Sequence, residues 1–338
     1  MAVNSYCISV LLVYKGFVKN KYEPTILELV YRESKGVHEW HVVDKVVETP
    51  DTYTYLFSPT TSEKFKFAVG QFVTIGAFLK RPVASGGLEE SWVERAYSIA
   101  SSPTRDLIEL TIKAEKPYNY INPRTGKADG FAAFFFEQVK IGDKIKVKFD
   151  PKKDHFLAKI AAGIEKDIAY WSGANGAESG RCLIQFMEDT KDPDLKLTLF
   201  YSNPHLYVSE ENRTVNVIYY KWLMEMAKKM ENLKVVFTFT RDKEVPASDH
   251  PRIIFRTGRF FLDPSGAQER TLSKYHENSN NVFNPICGSS GFINGVVQLP
   301  DGKFERRKGI MQNLMEIEAV KSEKIDKEQF YLDLAGSG

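Results

Sequence analysis

The sequence predicts two domains of different class, an antiparallel β domain followed by an α/β domain built on a parallel sheet. From about residue 38 to residue 150, apolar and polar residues alternate with period two, which is typical of strands that have one wet face. After about residue 160 the pattern changes to short continuous apolar runs separated by segments of helical character. Such runs indicate parallel strands covered by helices on both faces.

The β domain is clearest in residues 107–113 and 144–149, where apolar and charged side chains alternate. Turn signals at 101–103 and 141–143 separate these strands. The alternation alone is compatible with a barrel or a sandwich. Residues 76–93 have a loop-like composition, and we expect them to cover a site.

The α/β domain begins with three apolar runs, which we interpret as strands at 168–171, 197–201 and 235–239. Between the second and third runs, Trp222, Leu223 and Met226 recur at helical spacing. Parallel strands need a crossover of this kind, so a helix is predicted over 217–230. Residues 242–252 are expected to form a loop.

The composition excludes several classes of protein. A chain of 338 residues with 43% apolar residues is long enough for two cores. Its 46 basic and 44 acidic side chains nearly cancel, so nucleic acid is not an expected partner. Cys7, Cys182 and Cys287 are odd in number and far apart, which argues against disulfides and metal sites and favours a reducing cytoplasmic location. The longest apolar run near the amino terminus is too short to cross a membrane.

A flavin-binding strand is indicated by Arg95-Ala96-Tyr97-Ser98, about two dozen residues after the sequence GQF at 70–72. The segment resembles the flavin signature of the ferredoxin–NADP reductase superfamily. That resemblance implies that Arg95 binds the FAD pyrophosphate, Tyr97 packs on the isoalloxazine and Ser98 lies near flavin N5. A guanidinium suits phosphate oxygens and an aromatic ring offers a stacking face. The alternative is a barrel strand with a surface arginine and a core tyrosine.

A second phosphate-binding element is indicated by residues 128–134 (ADGFAAF). In the family it resembles, a glycine opens a short helix whose backbone amides hold the flavin phosphates, a role that helix amino termini suit. The positions carried over are Gly130, Phe131, Ala132 and Ala133, with Ala133 standing where the family usually has Ser or Thr. Ile112 and Lys113 stand where the family places a flavin-contacting strand. The alternative is a helix cap without a ligand.

A glycine-rich turn, Gly173-Ala174-Asn175-Gly176, follows the first apolar strand and precedes a helix-like segment. A dinucleotide pyrophosphate binds at such a turn, outside the carboxyl end of a strand. The family form is Gly-Gly-Thr-Gly-Ile-x-Pro, so Ala174 and Asn175 replace Gly-Thr, and Ser179 stands at the proline. Glu178 brings a negative charge near the expected phosphates.

Nucleotide selectivity is expected after the second strand, where the sequence resembles the loop that meets the adenosine ribose. Ser202 and Arg213 could hold a 2′-phosphate, since NADPH needs a cation where NADH favours an acidic partner. This favours NADPH over NADH. The alternative for Arg213 is a solvated loop arginine.

The nicotinamide site is expected near Cys287 and Gly288, which resemble the start of the family's Cys-Gly-Pro-Pro-x-Met element. Here Ser289 and Ser290 replace the two prolines, which leaves the turn less rigid. A lone cysteine at a strand end is otherwise a small buried hydrophobe. Near the carboxyl terminus, Glu328 and Phe330 fit the family ending Ile-x-x-Glu-x-aromatic, which implies positions close to flavin and nicotinamide.

The resemblance covers residues 40–331 and implies an antiparallel six-stranded FAD-binding β-barrel over 38–158 and an NAD(P)-binding domain over 159–334. It implies hydride transfer from NADPH or NADH to FAD, with Ser98, Cys287 and Glu328 at the reacting atoms. The acceptor stays open between ferredoxin, another redox protein and a small molecule. Residues 1–37 have no assigned role. Two alternatives stay open: a flavin-binding electron-transfer subunit that does not bind NAD(P)H, and a cofactor-free scaffold.

Overall fold

A computed structural model provides the structure of the protein and describes the greater part of the chain. The described residues are 35–61, 64–82, 87–114, 132, 135, 138–150, 156–209, 211, 213–263, 265–298 and 303–330. They form two six-stranded sheets and one short hairpin. Within these ranges, every helix is too short or too polar to cross a bilayer.

The first sheet is antiparallel and curls into a barrel, as the sequence predicts. Its strands are β1 Gly36–Thr49, β2 Thr52–Pro59, β3 Phe72–Pro82, β4 Leu88–Ser98, β5 Ile108–Lys113 and β6 Lys144–Phe149. Their order in the sheet is β4-β3-β6-β1-β2-β5. The Ala100 amide donates to the Glu109 carbonyl at 2.8 Å, which links the end of β4 to β5, the other edge.

Period-two alternation places the barrel core. In β6, Ile145, Val147 and Phe149 are buried, while the three lysines that alternate with them are exposed. The inner faces of β1 and β2 add Trp40 and Phe57, both fully buried, with ring centroids 5.9 Å apart. One face of each strand therefore forms a common apolar interior.

The prediction of a loop over residues 76–93 is wrong for most of that range. Strands β3 and β4 pair antiparallel without interruption from Phe72 opposite Ser98 to Pro82 opposite Leu88. Phe78 and Trp92 lie on the outer face, with ring centroids 5.0 Å apart, and both are exposed. Outward aromatic residues reverse the usual apolar-in, polar-out pattern and so conceal the strands in the sequence.

The second sheet is parallel, as predicted. Its strands are β7 Asp167–Gly173, β8 Lys196–Asn203, β9 Leu233–Phe239, β10 Ile253–Thr257, β11 Asn284–Ser289 and β14 Ile325–Phe330. Their order in the sheet is β10-β9-β8-β7-β11-β14. The α-helices of the described residues after the barrel are α1 Ala158–Ala161, α2 Ala177–Thr190, α3 Tyr220–Lys229, α4 Ser290–Asn294 and α5 Ile310–Glu316. Strands β12 Val296–Gln298 and β13 Phe304–Arg306 form the separate hairpin.

Helix α3 confirms the predicted crossover between β8 and β9, with Leu223 and Met226 buried against the sheet. The opposite face of the sheet has its own core, in which Trp171 stacks on Phe200 with ring centroids 4.0 Å apart. Both faces are thus covered, which explains why the strands appear in the sequence as unbroken apolar runs.

A buried polar network joins the two sheets. The Arg181 guanidinium, on α2, donates to Glu109 of β5 at 2.8 Å. The same group lies over the rings of Tyr219 and Trp222, 4.6 and 4.5 Å from their centroids. The backbone amide of Tyr219 donates to the Glu48 carboxyl at 3.2 Å. A charge-assisted bond flanked by aromatic faces fixes the contact between the domains.

Candidate functional site

Four side chains meet where the two domains adjoin, and Glu328 lies at their centre. The Ser98 hydroxyl donates to Glu328 Oε1 at 3.2 Å. The Ser179 hydroxyl donates to Glu328 Oε2 at 3.0 Å, and the Cys287 thiol lies 3.3 Å from the same oxygen. Of the three residues predicted at the reacting atoms, Ser98 and Cys287 therefore both contact Glu328, although 230 positions separate Ser98 from Glu328.

Backbone pairing explains this convergence. Strands β11 and β14 are parallel neighbours, and their register sets Cys287 opposite Glu328. Ser98 is the last residue of β4 in the barrel. Ser179 lies in the first turn of α2, immediately after the glycine-rich turn. The site is thus assembled from both domains and from three elements of the second.

Burial controls the protonation of this cluster. It raises the pKa of Glu328 above its ordinary value, while hydrogen bonds from Cys287, Ser179 and Ser98 oppose that shift. Burial also raises the pKa of the Cys287 thiol well above its usual range, and the negative charge of Glu328 adds to the effect. The thiol is therefore a neutral donor at neutral pH rather than a nucleophilic thiolate.

Glu178 adds a second carboxyl group beside this cluster. It lies in the first turn of α2 and is only 4% exposed. Burial raises its pKa well above the ordinary value, and the charge of Glu328 contributes further. The sequence led us to expect a negative charge here, close to the phosphates. A carboxyl group in this setting stays neutral up to a higher pH than an exposed carboxyl group does.

The glycine-rich turn forms a 3-10 turn, Ala174–Gly176, between β7 and α2. A Cβ atom on Gly176 would lie 2.2 Å from the carbonyl oxygen of Cys287, so no larger residue fits there. Ala174 has φ of 47°, in the left-handed region that favours glycine. The family pattern has glycine at that position, so the backbone keeps the shape of the turn although the residue differs.

Phe292 was not identified from the sequence. Its ring packs directly over two glycines, since Cβ atoms on Gly173 and Gly288 would lie 2.9 and 2.8 Å from ring atoms. These glycines are at the carboxyl ends of the adjacent strands β7 and β11, where a dinucleotide binds in this class of fold. Gly173 and Gly288 were the available signal in the sequence, because a residue with a side chain at either position would leave no room for the Phe292 ring.

The predicted flavin residues lie along β4. Arg95 and Tyr97 point to the same face of the strand and are half-buried, with Tyr97 packed against the barrel core. Arg95 Nη1 donates to the carbonyl oxygen of Glu94 at 2.8 Å. Ala96 is exposed on the other face. A guanidinium, an aromatic ring and the Ser98 hydroxyl follow one another along one strand, and this donor set fits a flavin dinucleotide.

The other predicted flavin residues have more varied positions. Ile112 is fully buried in the barrel core, so only its backbone is available to a ligand. Lys113 pairs with Asp51 at 3.6 Å. Ala132 is buried in the barrel core. Gly130, Phe131, Ala133 and the side chain of Phe330 lie outside the described residues.

The two residues predicted to select NADPH lie in different elements. Ser202 pairs with Gly173 in the sheet, beside the glycine-rich turn. Arg213 is exposed in the connection between β8 and α3 and has φ of 45°. Among the described residues, no hydrogen bond or ion pair joins the Arg213 guanidinium to Ser202.

Comparisons with known proteins identify the fold. No protein-family model and no curated protein matches the chain. Among solved structures, the flavohem-like FAD/NAD-binding domain of nitric oxide dioxygenase from Vibrio cholerae O1 biovar El Tor matches 87% of this chain and 98% of its own, with TM-score 0.57 and 13% identity. A ferredoxin–NADP⁺ reductase from Neisseria gonorrhoeae matches 87% and 98%, with TM-score 0.52 and 17% identity.

A third match is the cytochrome b5 reductase domain of Ulva prolifera nitrate reductase, with TM-score 0.50 and 18% identity over 77% of this chain and 89% of that domain. The three matches cover 77% or more of this chain, so they span both the antiparallel barrel and the parallel α/β domain. The chain therefore has the two-domain fold of the ferredoxin–NADP reductase superfamily, which confirms the fold implied by its motifs.

Proposed function

We propose that this chain is a flavin-dependent oxidoreductase, in which FAD bound along β4 receives a hydride from NADPH or NADH bound at the glycine-rich turn. One observation carries the proposal. Ser98 from the barrel and Cys287 from the parallel sheet both contact Glu328, so the residues expected at the reacting atoms meet at one carboxyl group. The related solved structures include FAD-containing and NADP-containing reductases, which supports the same chemistry.

Each residue of the site has a defined task in this proposal. FAD, when bound, supplies the hydride acceptor. Arg95 would hold the pyrophosphate and Tyr97 would pack on the isoalloxazine, as their positions along β4 allow. Ser98 holds a proton at Oγ and shares it with Glu328 Oε1. Cys287 and Gly288 would border the nicotinamide and exclude water from it.

Four finer features belong to the same proposal. Ser202 and Arg213 favour NADPH over NADH, and a redox protein such as ferredoxin, or a small acceptor, takes the electrons from the reduced flavin. Phe330 would lie near the flavin and nicotinamide. The working units are residues 38–158, which bind FAD, and residues 159–334, which bind the nucleotide.

A second candidate function is a flavin-binding electron-transfer subunit that does not use NAD(P)H. The Phe292 ring favours it, because the ring covers the glycines at which a dinucleotide would bind. Cys287 is fully buried, so a nicotinamide reaches its side chain only if neighbouring residues move. In this candidate the protein binds FAD, and NAD(P)H does not reduce the flavin.

The visible absorption spectrum of the purified protein separates these functions. Flavin bands that bleach under anaerobic NADPH or NADH support the oxidoreductase, and the faster nucleotide gives the selectivity. Bands that persist with both nucleotides support the electron-transfer subunit. A colourless protein that cannot be reconstituted with FAD contradicts both and leaves a cofactor-free scaffold.

Variants of the flavin strand test the position of FAD. Arg95→Ala combined with Tyr97→Ala removes the phosphate-binding fork and the stacking ring, so we expect flavin content to fall by at least tenfold. Arg306→Ala, which changes an exposed arginine on β13, is the control and should keep the flavin. Equal flavin content in both variants would show that FAD is not held by β4.

A further inference from the structure

The two oxygens of the Glu328 carboxyl group are not equivalent. Oε2 has two donors, the Ser179 hydroxyl at 3.0 Å and the Cys287 thiol at 3.3 Å. Oε1 has one, the Ser98 hydroxyl at 3.2 Å. Both donors on Oε2 come from the α/β domain, whereas Ser98 belongs to the barrel. A carboxyl group protonates on the oxygen with fewer donors, since each donor stabilises a lone pair that the proton would otherwise occupy.

We propose that Ser179 is a positioning residue that directs the proton of Glu328 to Oε1, on the side of Ser98. With Oε2 occupied by Ser179 and Cys287, a protonated Glu328 donates from Oε1 to Ser98 Oγ, and the Ser98 hydroxyl turns to accept. The proton is then held toward β4, the strand expected to carry the flavin. This role rests on the proposed function, because the direction matters only if the reacting atoms lie beside Ser98.

Ser179 is placed for this task by the fold. It is fully buried in the first turn of α2, so its hydroxyl has no access to water. The family pattern that the sequence resembles has proline at this position, and proline has no hydroxyl group. The hydrogen bond to Glu328 is therefore a property of this chain and not of the motif.

The charged and titratable groups around Glu328 leave hydrogen bonds as the main stabilisation of its anion. Cys287 on β11 and Asp326 on β14 interact with it, and it interacts in turn with Glu178 on α2 and Tyr170 on β7. All of these groups are acidic. In the described part of the chain, no lysine, arginine or histidine forms an ion pair with Glu328. Removal of one donor should therefore have a measurable effect on its titration.

The experiment is a carboxyl titration of the full chain labelled with ¹³C at glutamate Cδ, followed by NMR without flavin or nucleotide. The Glu328 signal is identified by its loss in Glu328→Gln. Ser179→Ala should raise the pKa of Glu328 by about one unit, because a hydrogen bond to a charged group contributes more to the anion than to the neutral acid. Ser98→Ala should raise the pKa of Glu328 by less than half as much, since Ser98 forms a hydrogen bond with both the ionised and the protonated carboxyl group.

Ser172→Ala is the matched control. Ser172 is fully buried one residue before the turn, and its hydroxyl has no hydrogen-bond partner in the described residues. Its removal should leave the Glu328 pKa unchanged. If Ser179→Ala does not fold, Cys287→Ala removes the other Oε2 donor and should also shift the pKa upward. Ser179→Thr, which keeps the hydroxyl, should restore the wild-type value.

Two results would overturn the inference: an unchanged Glu328 pKa in folded Ser179→Ala, or a larger shift in Ser98→Ala than in Ser179→Ala. The titration requires no flavin, so it is independent of the proposed function. If the flavin is bound and reduced, the pH profile of its reduction should shift in Ser179→Ala by the same amount and in the same direction as the NMR titration. A pH profile that does not shift would show that the ionisation of Glu328 does not affect flavin reduction.

Discussion

Glu178 and Glu328 are two carboxyl groups whose charges interact, the first buried and the second half-buried. Glu328 accepts three hydrogen bonds, whereas Glu178 accepts none from the described residues. Burial raises the pKa of both groups, and among the described residues no donor opposes that shift at Glu178. An ionised carboxylate without donors is costly in such surroundings, so Glu178 keeps its proton to a higher pH than Glu328 does.

Glu178→Gln tests this difference through the pH dependence of stability. Since the pKa of Glu178 is higher in the folded than in the unfolded chain, the folded state binds more protons between the two values. Wild-type stability should therefore fall as pH rises above about 4.3, by about 1.4 kcal/mol for each pH unit within that window. The variant should lack this contribution.

The measurement is urea unfolding at pH 5 and pH 8. Glu225→Gln, a change at an exposed glutamate of α3, should retain the wild-type pH dependence. The same loss of stability in wild type and Glu178→Gln would mean that Glu178 is ionised throughout this range.

The order of motifs was enough to name Ser98, Cys287 and Glu328, and the structure brings the three together. Their roles stay predictions. Ser179 was noticed only as a departure from a proline, because its partner lies 149 positions away and no local pattern indicates such a contact. Phe292 was missed because its signal is indirect: the ring covers Gly288, four positions earlier, and Gly173 on the neighbouring strand β7.

At the level of the elements, strands were predictable where side-chain pattern and burial agree. Strand β6 alternates fully between exposed lysines and buried apolar residues. Strand β7 is continuously apolar over 168–171 because helices cover both faces of its sheet. In strands β3 and β4 the side-chain pattern and burial disagree, since Phe78 faces outward with 64% exposure and Gly76 leaves room for the Trp92 ring. Packing on the outside of a barrel therefore concealed two strands.

Helix α4 shows how a departure from the family pattern is accommodated. Ser289 is its N-cap residue, and the Ser289 hydroxyl accepts from the Phe292 amide at 3.3 Å. Ser289→Ala should therefore lower the free energy of unfolding by about 1 kcal/mol, the usual effect of losing an N-cap. Urea unfolding measures the change.

Ser290→Ala provides the comparison, because Ser290 is the first helical residue and does not cap α4. Its effect should stay within about 0.5 kcal/mol. Equal destabilisation by the two substitutions would show that the Ser289 hydroxyl does not hold the turn that proline rigidifies in the family.

At the scale of the whole molecule, the two domains are joined by side chains that are buried and charged. Arg181 and Glu109 are about one-eighth exposed, and each supplies the other's counter-charge. Gln185 also approaches Glu109, and its Oε1 accepts from the Ser102 amide at 2.9 Å. The sequence predicted both domains but not this contact, because its partners are separated by 72 or more positions.

Arg181→Met tests how strongly this pair stabilises the domain contact. It leaves Glu109 buried without its cation, so unfolding free energy should fall by about 3–5 kcal/mol. The double variant with Glu109→Gln should recover part of that loss, since no unpaired charge remains. Arg306→Met, at an exposed position, should have little effect. A loss in Arg181→Met as small as in Arg306→Met would show that the domains are held mainly by other contacts.

The position of Trp222 against the Arg181 guanidinium also gives the molecule an optical reporter. Two of the four tryptophans, Trp40 and Trp171, are sealed inside the separate cores, so their emission should stay blue while each core is intact. Arg181 and Trp222 both belong to the α/β domain and stay together, but when the domains part the guanidinium loses Glu109, and the half-buried Trp222 beside it should gain contact with water. A shift of fluorescence to longer wavelength that precedes the loss of the blue component would therefore record the domains separating before either one unfolds.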